Sequence, residues 1–352
     1  MISQKPQIEL SVIVCTRNRA RQLATLFQCL GSQRDLEDIR WEIVIVDNNS
    51  SDNTKEVAYA FCEGSNLKVN YLFEEKTGLS YARNAGILAS KGSLLLFIDD
   101  DVLIPQEFIS NALFGAKEFP EFQIFGFRVL PEWLENTKPP FWLTFKKFFN
   151  LPINLIQSFL PVHDLGSEPL QYPNRIAKNP IGASFLIKKE ILENLGPFRE
   201  DLGAGQSGVC EDTEFFWYAL ISGFKILYWP YATLYHTVDP ERLSLGYLHK
   251  WYFNLGKSLY LIKNTGRIFN LLKDENTRVE NPDIKRLTLG FSTSLLGKDK
   301  SSPYNTLFLF LKLLVIILFL PVSIFLLFIK RPFYLTTLLA KTLGEIEEAI
   351  CK

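Results

Sequence analysis

The chain has 352 residues, 47% of them apolar, with 38 basic and 38 acidic side chains. That length accommodates one α/β domain of roughly 250 residues plus further elements, while balanced charge excludes a nucleic-acid binder built on a strong electrostatic footprint. Five cysteines without a CxxC pair exclude both a disulfide framework and a zinc knuckle.

Lys5 and Glu9 directly precede the first apolar run, so no signal peptide is expected and the catalytic part is placed on the cytoplasmic side. Residues 10–14 predict a first strand, which ends at Cys15-Thr16-Arg17-Asn18-Arg19. A helix follows through Gln22, Leu23, Leu26, Phe27 and Leu30, whose spacing makes one apolar face. Residues 41–46 predict a second strand, stopped by the polar run 47–53, and Thr54 opens a second helix. Residues 69–73 predict a third strand, 81–89 a helix and 94–98 a buried parallel strand. Alternation of this kind over about 100 residues predicts a mostly parallel, doubly wound sheet.

The fourth strand stops at Asp99, Asp100 and Asp101. Adjacent carboxylates repel and resist desolvation unless a cation or basic side chain joins them. Strand carboxyl ends are where open α/β sheets bind ligands, and Mg²⁺ or Mn²⁺ carrying a diphosphate suits hard oxygen donors. A solvated acidic turn before a helix near Pro105 is the alternative. Residues 121–180 break the rhythm: prolines punctuate a stretch in which Trp133, Trp142, Phe145, Phe148 and Phe149 accompany Lys138, Lys146 and Lys147. Basic and aromatic residues together suit a membrane interface, and packing in a core is the other option. Regular structure resumes with a strand at 183–187, a helix at 189–195, a glycine-rich loop and a helix from about Asp212. Gly203, Gly205 and Gly208 have dinucleotide-fingerprint spacing, but they neither follow a strand nor open an early βαβ unit, so the loop is read as feeding an active site.

Residues 313–329 carry no charge, and Lys312 alone separates them from the apolar residues 307–311. About 20 apolar residues can span a bilayer, so residues 303–352 are expected to associate with a membrane. Pro321 interrupts the run, and Lys298, Lys300 and Lys312 before it mirror Lys330 and Arg331 after it. Positive charge at both ends favours a bent, re-entrant or shallow insertion over one straight crossing. The division expected is a catalytic domain over 1–250 with 121–180 as a variable insertion, a helical connector over 251–302 and the hydrophobic segment over 303–352.

Six motifs occur in order: residues 12–19, 45–52, 78–86 and 97–101, then Gly182-Ala183-Ser184 and Glu211-Asp212. Together they resemble the family 2 glycosyltransferases of GT-A fold, over roughly residues 8–240. The resemblance implies an α/β, Rossmann-like fold, a nucleotide-diphosphate sugar donor, and a lipid-linked or saccharide acceptor reached at the membrane. It implies that Thr16, Arg17, Asn18, Asp47 and Asn49 hold the nucleoside. Gly78, Arg83, Asn84, Asp99 and Asp100 would complete donor binding, and Gly182 and Ala183 would meet the acceptor. Asp99 and Asp101 match the DxD element, with His236 as a third ligand for Mn²⁺ or Mg²⁺. Asp212 would be the base that deprotonates the acceptor hydroxyl, supported by Glu211.

Two departures stand out. The Gln-x-x-Arg-Trp element of processive polysaccharide synthases is absent after the acidic pair, which argues for one sugar per encounter, and Tyr218 stands where relatives often carry Arg. A nucleotidyltransferase is the nearest rival enzyme, but Cys15-Thr16-Arg17-Asn18 lacks its glycine-rich phosphate loop. A catalytically dead membrane-anchored scaffold would have lost the metal acids or Asp212, and all are present.

Overall fold

The structure, a computed structural model, describes residues 8–134, 160–173 and 179–273. The hydrophobic segment 303–352, the connector beyond residue 273 and the aromatic-basic residues 135–159 lie outside the described residues. The chain divides into two compact units, Met1–Gln206 with Glu211–Arg242, and Ser207–Cys210 with Leu243–Lys352.

The first unit follows the expected order closely at its start: β1 (Leu10–Thr16), α1 (Ala20–Gly31), β2 (Trp41–Asp47), α2 (Thr54–Gly64), β3 (Val69–Phe73), α3 (Leu79–Ala89) and β4 (Leu94–Asp99). Then come β5 (Val102–Leu103), α4 (Phe108–Glu118), β6 (Ile124–Trp133), β7 (Leu170–Tyr172), β8 (Ser184–Lys188), α5 (Leu192–Leu195), α6 (Glu211–Ile221) and β9 (Ile226–Val238). The sheet runs β3-β2-β1-β4-β8-β6-β9-β5, with β7 added beside β9.

Alternation explains the layering. Val12, Val14, Ile43, Ile45, Leu96 and Ile98 cluster with Leu23, Leu26, Phe27 and Leu30 of α1, because successive strand residues point to opposite faces. The other face takes α3, whose Gly86 lies so near β1 that a β-carbon there would come within 2.6 Å of Ile13. Further along this layer Phe97 stacks on Phe185 at 4.6 Å between ring centres, and Phe198 on Phe215 at 4.4 Å.

The sheet is mixed, which corrects the expectation of a mostly parallel one. β3, β2, β1 and β4 are mutually parallel, whereas β8 runs antiparallel to both β4 and β6, and β5 and β7 run antiparallel to β9. The parallel half comes from βαβ crossovers, which carry the chain back to the same end before each new strand. Past Asp99 the chain turns directly into β5, so direction is no longer reset. Residues 124–133, assigned by composition to a variable insertion, form β6 in the body of the sheet, and 124–127 and 129 are buried.

Parallel register also aligns the strand ends. Thr16 lies opposite Asp47, and Cys15 opposite Asp99. Three motifs far apart in sequence therefore end on one edge.

In the second unit α7 (Leu245–Asn264) opens at Ser244, whose hydroxyl accepts from the Tyr247 N–H, and α8 (Gly266–Lys273) follows. The Ser207 and Ser258 hydroxyls are 2.7 Å apart. Gly208 has φ +111°, and a β-carbon there would strike Asn254 at 2.4 Å, so glycine is required twice over. Among the described residues no helix is long and apolar enough to cross a membrane.

Candidate active site

The loops that follow β1 and β2 are tied together. Asn18 and Asn49 both adopt left-handed backbone, at φ 53° and 59°, a conformation asparagine tolerates better than most residues. The Asn18 N–H donates to Ser50 Oγ at 2.9 Å, and the Ser51 N–H donates to Asn18 Oδ1 at 2.7 Å. Asp47 is buried; its Oδ1 accepts from the Ser50 N–H and its Oδ2 from the Tyr71 hydroxyl, both at 2.9 Å. The start of α2 is served instead by Asp52, which accepts from the Thr54 N–H at 3.1 Å. Thr16 is buried at the end of β1, while Arg17 and Asn49 are exposed.

The acidic turn is split by burial. Asp99 and Asp101 face His236 of β9, their ligand atoms all within 4.8 Å of one another. β5 makes this possible by pairing Val102 with His236, which draws β9 beside the turn. Desolvation pushes Asp99 up to about 7; Arg83 opposes this, while Asp101 and Asp100 reinforce it. Desolvation likewise holds His236 below its ordinary value, favouring the neutral ring. With Nδ1 donating to the Thr237 carbonyl at 3.0 Å, Nε2 presents a lone pair to Asp101 Oδ1 at 3.2 Å. That spacing can be bridged by a shared cation or by a proton on either group.

Charge around this edge is also unbalanced. Counted formally, Asp99, Asp100, Asp101, Glu211 and Asp212 face three guanidiniums, Arg19, Arg83 and Arg242, an excess of two negative charges when every carboxyl is ionised. Two carboxylates and an imidazole with that excess fit a divalent ion such as Mn²⁺ or Mg²⁺.

Asp100 is engaged by the protein itself. It is buried, and its Oδ1 accepts from Arg19 Nη1 at 2.7 Å, while the same nitrogen reaches Asp101 Oδ2 at 2.7 Å. Desolvation pushes Asp100 up to about 6 against the pull of Arg19. Arg19 had no assigned role in the sequence. The signal available was its place at a strand end of the same sheet that carries three adjacent acids.

The acidic pair opens α6, where carboxylates are favoured by the helix N-terminus. Glu211 is buried, and its Oε1 accepts from Arg83 Nη1 at 2.9 Å. Desolvation and the Asp212 charge raise the Glu211 pKa, with Arg83 opposing. Asp212 differs: Oδ1 accepts from the Thr213 N–H at 2.6 Å, and Oδ2 lies beside Gly182, where a β-carbon would be 2.8 Å away. Only a residue without a side chain fits at Gly182, because Asp212 and Arg83 close over it.

Several assigned residues turn out to be occupied by the protein itself. Arg83, buried against Phe185 and Phe198, donates to Glu211 and to the Gly182 carbonyl at 3.1 Å, and stands 3.7 Å from Asp99. It serves the acidic strand end and the pair together. Asn84 exchanges two hydrogen bonds with the Phe198 backbone, at 2.9 and 2.8 Å, which commits both amide atoms. At Gly78 the close approach is made by the chain: a β-carbon on Gly205 would lie 3.0 Å from Gly78 Cα. The Leu79 N–H, at the start of α3, donates to the Ala204 carbonyl at 2.9 Å. Ala183 is buried and offers its carbonyl to the Asp99 N–H at 3.0 Å, so it helps shape the strand end.

A half-parallel sheet with nucleoside loops at one end of its edge, a DxD–histidine trio in the middle and an acidic pair beyond has the layout of a GT-A glycosyltransferase. Residues 11–196 match the family described as Glycosyl transferase family 2, and the chain belongs to that family of enzymes. By sequence it is 31% identical over 105 residues to the poly(ribitol-phosphate) beta-N-acetylglucosaminyltransferase TarS of Staphylococcus aureus, a match covering 30% of this chain and 18% of TarS. It is 24% identical over 251 residues to the succinoglycan biosynthesis protein ExoM of Rhizobium meliloti, covering 71% of this chain and 74% of ExoM. Among solved structures, the mannosyltransferase PcManGT from Pyrobaculum calidifontis, in complex with GDP-Man and Mn²⁺, aligns with a TM-score of 0.55 at 17% identity over 99% of this chain and 92% of its own. TarS 1–349 aligns at 0.52 and 18% identity, over 85% and 77%. At these identities the structural likeness establishes the fold.

Proposed function

We propose that this glycosyltransferase moves a sugar, with inversion and one unit per encounter, from a nucleotide-diphosphate sugar to a membrane-linked or polysaccharide acceptor. Neighbours that bind UDP-GlcNAc and GDP-Man support such a donor. Thr16, Arg17, Asn18, Asp47 and Asn49 stand at the loops suited to the nucleoside. Asp99, Asp101 and His236 would hold Mn²⁺ or Mg²⁺, which offsets diphosphate charge as the leaving group departs.

The observation that carries the reading is the unequal treatment of Glu211 and Asp212. Glu211 is buried with an oxygen committed to Arg83, so an incoming hydroxyl has little access to it. Asp212 is only half-buried, and among the described residues no guanidinium bonds it at hydrogen-bond distance, so it is the one placed to take the acceptor hydroxyl's proton during attack. Glu211 and Arg83 then orient the base.

The membrane part of the proposal rests on the uncharged run 313–329. A polyprenyl-linked acceptor leaves a bilayer at a cost of about 0.8 kcal/mol per methylene, so the enzyme must come to it. Purified full-length chain, and chain truncated after Lys300, would be incubated with radiolabelled nucleotide sugars and Mn²⁺. Acceptors would be offered in vesicles and in solution. Turnover of one donor by both chains, with loss of vesicle-borne transfer on truncation, is expected. No transfer or donor hydrolysis with any nucleotide sugar would defeat the donor assignment. Full vesicle-borne activity without the segment would defeat the anchoring.

A further inference from the structure

We infer that Arg19 is a tethered cation that shares Asp101 with the divalent ion and so weakens binding of the ion when no donor is present. The inference rests on the metal assignment made above and concerns what sets the strength and order of that binding.

The two oxygens of Asp101 face opposite ways. Oδ1 faces His236 at 3.2 Å, whereas Oδ2 accepts from Arg19 at 2.7 Å and lies 3.8 Å from Arg242. Arg19 spans the turn, holding buried Asp100 with the same nitrogen. A guanidinium does not lose its proton in a protein, so Arg19 carries a permanent charge.

Its backbone is held as firmly as its side chain. The Arg19 N–H donates to Thr54 Oγ1 at 3.3 Å, and its neighbours Asn18 and Ala20 are bonded to Ser50 and Asp52. The guanidinium itself is held over the turn by both carboxylates.

An ion on Asp99, Asp101 and His236 then shares one carboxylate with a fixed positive charge, and like charges at such range repel appreciably. The excess of two negative charges at this edge becomes three without Arg19, one without Asp100, and two again without both. Arg19 thus lowers affinity for the free ion. A donor diphosphate adds negative charge on the ion's other side and restores the attraction, so ion and donor bind together. After transfer the same repulsion helps the ion leave with the nucleoside diphosphate.

Mn²⁺ binding measured by electron paramagnetic resonance and calorimetry, with and without a nucleoside diphosphate, tests this without turnover. Arg19→Gln is expected to bind free Mn²⁺ about tenfold more tightly or better, as removal of one nearby charge implies. The gain in Mn²⁺ affinity from the diphosphate should shrink correspondingly. Asp100→Asn should bind more weakly, Arg19→Gln with Asp100→Asn should return near the wild type, and Arg19→Lys should stay near it. Thermal melting reports whether each variant folds. If Arg19→Gln alone does not fold, the double variant against Asp100→Asn supplies the same comparison. Unchanged or weaker Mn²⁺ binding on loss of Arg19, in either background, overturns the inference. A wild-type chain that binds no Mn²⁺ even with the diphosphate overturns instead the metal assignment beneath it.

Discussion

The acidic turn 99–101 and the acidic pair 211–212 solve one problem in two ways. Each sets carboxylates side by side, and each buries one against an arginine more deeply than its neighbour: Asp100 with Arg19, Glu211 with Arg83. The arginines differ. Arg83 is 2% exposed and sandwiched near Phe185 and Phe198, whereas Arg19 is 40% exposed at the rim. At the turn the charge can be exchanged with solvent ions. At the pair it is sealed in, as suits a base whose geometry must not wander. Burial of the partner, more than the number of acids, separates the proposed ion site from the proposed base.

The sharpest way to break that contrast is Arg83→Met, which keeps length and packing but strands Glu211 in the interior. Removing one partner of a buried pair costs about 3–5 kcal/mol, so urea denaturation should show a loss of that size. A loss below about 1 kcal/mol would mean that Glu211 is not sealed and that the two regions are alike.

At the turn, Asp101→Ala should leave stability closer to wild type but remove the shared metal ligand. Transfer should lose about 3 kcal/mol of activation stabilisation, on the order known for preorganised electrostatics. A folded variant that turns over at the wild-type rate without added Mn²⁺ or Mg²⁺ would refute the metal role.

His163 offers a third solution, burial in the neutral form. It is hydrogen-bonded to the Tyr172 hydroxyl and held down to about 4 by desolvation, with Asp164 opposing. Above pH about 6.5 neither folded nor unfolded chain protonates it, and stability is flat. Between about 6.5 and 4 the unfolded chain takes up a proton that the folded chain refuses, so stability falls by up to about 3 kcal/mol. Denaturation midpoints of wild type and His163→Gln should therefore diverge in slope below pH about 6.5. Parallel slopes would show that the ring is solvated.

Asp212→Asn sharpens the comparison from the catalytic side. It keeps shape but cannot accept the acceptor proton, so transfer should fall by roughly 10²-fold with donor affinity nearly unchanged. Equal losses in affinity and rate would move Asp212 to the donor.

Much of this was legible in the chain itself. Apolar runs with abrupt polar stops gave β1 to β4 within a residue or two, since a buried parallel strand needs a continuous apolar segment. Six motifs in order pointed to the family, and its profile matches residues 11–196. Asp99, Asp101 and His236 were named from sequence, and the fold brings them together across more than a hundred residues. Tertiary structure alone decided which acids face inward. Nothing local distinguishes Asp100 from Asp99 or Asp101, because alternation reverses at a tight turn and the choice depends on Arg19, delivered from a different strand end. The same holds for Asn84 and Gly78, whose partners Phe198 and Gly205 lie more than a hundred residues away. β6 escaped notice because its far half is only partly buried and contains Pro131, so its apolar signal is short. Local pattern reports what a segment must bury. Which polar group a neighbour satisfies is settled when distant segments meet, because a buried charge takes whatever counter-charge the fold delivers.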